Sequence, residues 1–167
     1  AGDIYPSLER GTIDAAEFVG PQDDQNLGLS KIAPFYYFPG FWEGAASLSF
    51  FINLEKWNAL PASYQSIVRT AAMAAGTEMT AKYDVQNPIA LARLLSEGTQ
   101  LRAFPQDVLQ KSYAAAREVY AELGEKSPAF KKLLDHQMEY RDRTYQWWRI
   151  SDYSYDTLML RAAQEQW

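Results

Sequence analysis

Two carboxylates are placed where a protein could use them for chemistry. Glu17 sits in Gly11-Thr12-Ile13-Asp14-Ala15-Ala16-Glu17-Phe18-Val19-Gly20-Pro21, and Glu43 closes the aromatic run Pro34-Phe35-Tyr36-Tyr37-Phe38-Pro39-Gly40-Phe41-Trp42. Each is read as lying at the exit of an apolar strand, the end at which open α/β sheets form their ligand crevices. If both exits face one cleft, two charges about 5 Å apart repel by roughly 3 kcal/mol at an effective dielectric near 20. A shared proton, a bound cation or an arginine would relieve that repulsion. A shared proton suggests acid–base catalysis of the glycosidase kind. A cation suggests a hard-ion oxygen site, in which carboxylates and backbone carbonyls are suitable ligands. Spacing leaves the choice open, and each glutamate taken alone also reads as a strand-end side chain facing water.

The remaining candidates are weaker. The aromatic run is either core, the commoner use of such side chains, or a ligand wall. His136 and Glu139 lie one turn apart, but with no second histidine in the chain they read as a solvated face. Tyr140 to Arg149 interleaves arginine with tyrosine and tryptophan. That pattern suits single-stranded nucleic acid or a protein interface. The acidity of the chain, with formal charge −5 and pI near 4.9, favours the interface and excludes nucleic acid as the main partner.

Composition bounds the rest. The 167 residues are 47% hydrophobic and 22% charged, enough to fold around a core rather than stay disordered. There are no cysteines, so disulfides, thiolate catalysis and cysteine metal sites are excluded. A single histidine makes a multi-histidine zinc site or a Ser-His-Asp triad a poor expectation.

The elements that must position the glutamates follow from punctuation and periodicity. A helical turn over Ile4–Arg10 ends at Gly11, a strand covers Thr12–Val19, and Gly20-Pro21 opens a helix to Ile32 with Asp23 and Asp24 in its first turn. Strands are predicted at Phe35–Phe38 and Ala46–Asn53, the second continuously apolar as in a sheet buried on both faces. A short helix or turn at Leu54–Leu60 precedes a long helix from Pro61 to Gln86, broken at Asn87-Pro88 and resumed from Ile89 to Glu97. A strand at Thr99–Phe104 is followed by a helix from Pro105 to Leu123 that Gly124 stops. Ser127-Pro128 caps and starts a helix through Trp148, and a last helix covers Tyr153–Gln164. The class is α/β, with a small mixed sheet and a helix-rich C-terminal half. Residues 1–53 form the strand-containing, ligand-site region, and residues 54–167 the helical remainder.

Taken together, Gly2 to Glu17 followed by Gly20-Pro21, and then Phe35-Tyr36-Tyr37-Phe38-Pro39-Gly40-Phe41-Trp42-Glu43-Gly44, resemble the solute-binding proteins of TRAP transporters, the DctP-like family. The second motif is similar to the subgroup that binds 2-oxo acids, lactate and related monocarboxylates. The resemblance covers essentially the whole chain but only the second half of the family's usual length. It implies one lobe of a two-lobed periplasmic-binding-protein fold, with a hinge-side strand and C-terminal dimerisation helices. The other lobe, with its signal peptide and the arginine that grips the ligand carboxylate, is expected upstream of Ala1.

Function follows as an expectation of that resemblance: a periplasmic receptor, not an enzyme, that captures a small organic monocarboxylate with a metal cation, sodium ahead of calcium. It would deliver the ligand to the membrane permease subunits and pair as a homodimer. Carried over, Glu17 and Glu43 bind the cation, and Phe18 supplies a backbone carbonyl and a side-chain wall where relatives often carry tryptophan. Trp42 is a neighbouring wall. The alternatives are a carboxylate-pair hydrolase and a helical dimerisation module with incidental carboxylates.

Overall fold

The computed structural model describes residues 2–44 and 46–164. Their contacts divide the chain into two compact units, residues 1–104 and 105–167, described in turn.

The first unit begins with helix α1, Ile4–Glu9, after which Gly11 takes the left-handed conformation (φ 66°) expected of a glycine past a helix end. Helix α2, Pro21–Leu27, has Pro21 at its first position and ends at Gly28, again left-handed at φ 71°. It is shorter than predicted, because Leu29–Lys31 form a separate 3-10 turn. Strand β1, Phe35–Phe38, ends at a cis Phe38–Pro39 peptide. Helix α3, Leu54–Ala59, is capped by Asn53, whose side chain accepts from the Lys56 N–H at 3.1 Å. Helix α4 then runs without interruption from Ala62 to Ser96, and strand β2 covers Gln100–Ala103. The two strands pair in parallel, Phe35 opposite Gln100 and Phe38 opposite Ala103, joined by the crossover through α3 and α4 that a parallel pair requires.

The α/β class stands, helix-rich around a small sheet, but four local expectations are corrected. The segments Thr12–Val19 and Ala46–Asn53 are not strands. A strand exists only when a neighbour takes up its N–H and C=O groups, and among the described residues the only ladder is β1–β2. The sheet is therefore a parallel pair rather than a mixed sheet. Asn87-Pro88 does not break α4. Pro88 removes one ladder bond, yet the helix is held on both sides of it: Asn87 is bonded to α2, and Ala90 and Leu94, one turn apart, are fully buried.

The second unit is helical. Helix α5, Gln106–Lys126, passes through Gly124 instead of stopping there. A Cβ at Gly124 would meet the Lys131 side chain of the next helix at 3.7 Å, an ordinary van der Waals contact, so the position places no demand for glycine and the helix passes through it. Ser127, in extended conformation, ends α5 and caps helix α6, Pro128–Ile150, accepting from the Phe130 N–H at 3.2 Å. Helix α7 covers Asp152–Gln164 and packs on α6. No helix of the described residues is long and apolar enough to cross a membrane.

Candidate functional site

Glu17 and Phe18 lie on the irregular segment between α1 and α2, Glu17 exposed and Phe18 half-buried. Trp42 and Glu43 lie on the irregular segment after β1, both exposed. Neither glutamate stands at a strand exit in the sense first expected for Glu17. Each instead occupies a loop next to an anchored element, Glu17 just ahead of α2 and Glu43 just beyond β1. No ion pair among the described residues engages either carboxylate.

The aromatic run builds a wall. Phe104, just past β2, is the post around which it gathers: Tyr37 is 5.1 Å away, Phe41 5.3 Å and Trp42 6.1 Å between ring centroids, the last two edge-on. Phe41 and Trp42 also meet edge-to-face at 4.5 Å. Trp42 is nevertheless half exposed, so one face of the wall is open next to Glu43. Core and wall were posed as alternatives, and here the same side chains brace one another while leaving a free face.

Beneath the two loops lies a polar anchor that the sequence reading passed over. Asp24, in α2, is 8% exposed and accepts a 2.5 Å hydrogen bond from the Tyr36 hydroxyl of β1. Burial pushes the Asp24 carboxyl above the ordinary range; the Tyr36 bond and the Val19 amide pull it back down, and the charges of Asp23 and Glu17 push it up again. The Val19 N–H acts on Asp24 without meeting normal hydrogen-bond geometry, which leaves the second carboxylate oxygen without a partner among the described residues. Burial, and then the neighbouring Asp24, raise the Tyr36 phenol, so it remains a donor. Helix α4 buttresses the same point. The Asn87 side chain accepts from the Gln22 N–H at 3.1 Å, and Tyr83, one turn earlier, faces Asp23, whose carboxylate raises the phenol. The sequence signal was an aspartate behind the helix N-terminus and a tyrosine on the inward side of a four-residue strand, both read only for local propensity.

A cation fits this donor set in kind. Two unpaired carboxylates and the carbonyls of irregular backbone are hard oxygen ligands. Among the described residues no group of three or more histidine, cysteine, aspartate or glutamate side chains is gathered to hold a metal. A cation at Glu17 and Glu43 would therefore need backbone and ligand oxygens to complete its shell. His136 is exposed, in keeping with the solvated face read for it. An open depression elsewhere in the first unit, lined by Phe50, Ile52, Trp57 and Arg69 among others, contains neither glutamate.

The loops that carry these acidic and aromatic residues thus flank α2, which packs on the long helix α4, and the small parallel sheet. The model of the bacterial extracellular solute-binding protein family 7 (DctP) matches residues 1–127, and the chain belongs to that family. It is 42% identical over 155 residues to a monocarboxylate 2-oxoacid-binding periplasmic protein of Nostoc, a match spanning 93% of this chain and 43% of the relative. A TRAP transporter solute-binding protein from Bordetella bronchiseptica, crystallised as a mixed-occupancy dimer with calcium and picolinate in one site and the other site apo, superposes with a TM-score of 0.96 at 39% identity; the match covers 99% of this chain and 49% of that one. A TRAP periplasmic solute-binding protein from Pseudoalteromonas atlantica with bound sodium and pyruvate gives 0.87 at 34% identity, covering 93% and 47%. This chain thus spans about half the length of the relatives it matches. The family consists of extracytoplasmic binding proteins rather than enzymes, and the hydrolase alternative falls with that assignment.

Proposed function

We propose that this chain is the ligand-site lobe, the C-terminal half, of a TRAP receptor that captures a small 2-oxo monocarboxylate together with a cation held by Glu17 and Glu43. The observation that carries the reading is that Glu17, on the loop ahead of α2, and Glu43, on the segment beyond β1 and directly after the half-exposed Trp42, are both exposed carboxylates with no ion pair among the described residues. An anionic ligand would be repelled there unless a positive charge lay between. The carbonyl of Phe18 is a third oxygen within the same loop, and the Phe18 and Trp42 rings would flank the ligand's carbon skeleton. A cation supplies charge neutralisation and oxygen coordination. The chain's own residues set where it sits and which ligand shape fits beside it. Sodium or calcium would serve, and relatives with each support a metal without selecting one.

Two further features favour a receptor longer than this chain. Phe50 and Phe51 are 81% and 91% exposed on an irregular apolar segment with no strand partner among the described residues. Such a segment suits burial against the remaining length of the relatives. Helix α6 exposes Tyr140, Tyr145, Trp147 and Ile150, and α7 exposes Tyr153 and Leu158, surfaces suited to a second copy of the receptor. Delivery of the ligand to membrane permease subunits completes the proposed role.

The test is a pyruvate titration of the receptor at the length of its relatives. Glu17→Gln and Glu43→Gln keep side-chain volume but remove charge, so each should weaken pyruvate binding and flatten its dependence on cation concentration. Glu118→Gln, on α5, should do neither. Full affinity in both site variants would show the glutamates to be solvated loop residues.

A further inference from the structure

We propose that the Asp24–Tyr36 hydrogen bond is the brace that fixes the separation of Glu17 and Glu43, making Asp24 and Tyr36 positioning residues for the ligand site. The proposal rests on the cation reading above. Glu17 lies seven residues before Asp24, and Glu43 lies seven residues after Tyr36. Each glutamate is therefore tethered through a short irregular segment to one end of the same bond. Among the described residues, the Asp24–Tyr36 contact is the side-chain hydrogen bond that joins α2 to β1.

The local architecture directs this bond at the site. Along β1, Tyr36 is the half-buried residue while Phe35, Tyr37 and Phe38 are exposed, so its side chain is turned to the α2 side. The Val19 amide, two residues past Glu17, also acts on the Asp24 carboxylate. Asp24 thereby ties α2, which follows the Glu17 loop, to β1, which precedes the Glu43 segment. Its backbone is fixed by its own N–H, which donates to the Gly20 carbonyl at 2.9 Å, and α2 is pinned to α4 through Asn87. A buried carboxylate is an expensive brace compared with an apolar contact. Its geometric return is that both ends have one allowed arrangement, and a cation shared by two carboxylates needs their spacing fixed.

Tyr36→Phe removes the bond and leaves the ring's packing. In the receptor at the length of its relatives, titrated with pyruvate in the presence of sodium, it should weaken affinity about tenfold, the scale of one hydrogen bond to a charged acceptor. The same substitution in a Glu43→Gln background should cost less than about twofold, because the spacing of a pair no longer matters once one carboxylate is gone. Asp24→Asn keeps an oxygen acceptor for the Tyr36 hydroxyl and should retain most of the affinity. An equal factor for Tyr36→Phe in both backgrounds would show general loosening and overturn the brace. So would full affinity in Tyr36→Phe, or an Asp24→Asn loss as large as that of Tyr36→Phe. Full affinity in Glu43→Gln alone would instead overturn the cation reading, and the brace with it.

Discussion

Asn87 caps α2 from 65 residues away, and removing its side chain should cost more than a helical position ordinarily does. Gly20, the residue before α2, has no side chain with which to cap it, and the Gln22 N–H is one of the donors that a helix start leaves unpaired. Asn87 Oδ1 accepts that N–H at 3.1 Å in a partly buried setting. Losing a cap costs about 1 kcal/mol, and leaving a part-buried N–H without a partner raises this to about 2 kcal/mol. Alanine is the better helix former at position 87 by roughly 0.6 kcal/mol, which offsets part of the loss. The net expectation for Asn87→Ala is about 1–1.5 kcal/mol, close to a tenfold shift in the unfolding equilibrium. A urea titration should show a lower midpoint with an unchanged slope. Asn87→Asp keeps the acceptor and adds a charge that suits the helix start, although Asp23 and Asp24 stand close by. It should lose less than half as much. An alanine variant as stable as the parent would refute the reasoning, because the Gln22 N–H would then be satisfied by water.

Other outcomes follow from the same structure. Leu94 is 1% exposed, and Leu94→Ala removes about three buried carbon groups at about 0.8 kcal/mol each before any cavity cost, so a loss of about 3 kcal/mol is expected in thermal or urea unfolding. Because burial raises the Asp24 carboxyl, the parent carries a stability term that is full below the ordinary carboxylate range and fades as pH rises through the raised value. The stability of the parent relative to Asp24→Asn should therefore fall with rising pH across that window and then level off in pH-dependent unfolding. Replacing Trp147 and Trp148 together with alanine should shift the receptor toward monomer in light scattering, and an unchanged mass would remove α6 from the proposed interface.

Local signals in the chain were read correctly where they act locally. Ser127-Pro128 starts α6 as expected, because a hydroxyl followed by proline meets the needs of a helix start without outside help. Gly11 takes the positive φ of a residue past a helix end. The aromatic strand at Phe35–Phe38 and its partner at Gln100–Ala103 fall within the predicted ranges. The larger misses involve partners distant in sequence. Thr12–Val19 and Ala46–Asn53 have strand composition, but composition cannot supply the neighbour that makes a strand. Asn87-Pro88 carries the signature of a helix break, and what overrides it is packing against α2, some 65 residues earlier. Gly124 looked like a stop, and it is the local exception: α5 runs through it to Lys126.

The candidate site divides along the same line. Glu17, Phe18, Trp42 and Glu43 stand out in the sequence as candidates in a family-like order, and they lie on irregular segments next to α2 and β1. The bond that relates those loops was not legible. Asp24 looked like one of two acids at a helix start, and Tyr36 like one aromatic among the six between Phe35 and Trp42. Only the fold shows that one is buried and that the other reaches it.

The central claim is that a cation on Glu17 and Glu43 bridges to the ligand, and reciprocal linkage tests it most directly. Calorimetric titration of the receptor with pyruvate across a series of sodium concentrations, and with sodium across a series of pyruvate concentrations, measures each affinity as a function of the other species. Thermodynamics requires the two factors to be equal, and a bridging cation should make them about 5- to 150-fold. A pyruvate affinity that is the same with and without sodium, and likewise with and without calcium, would contradict the claim.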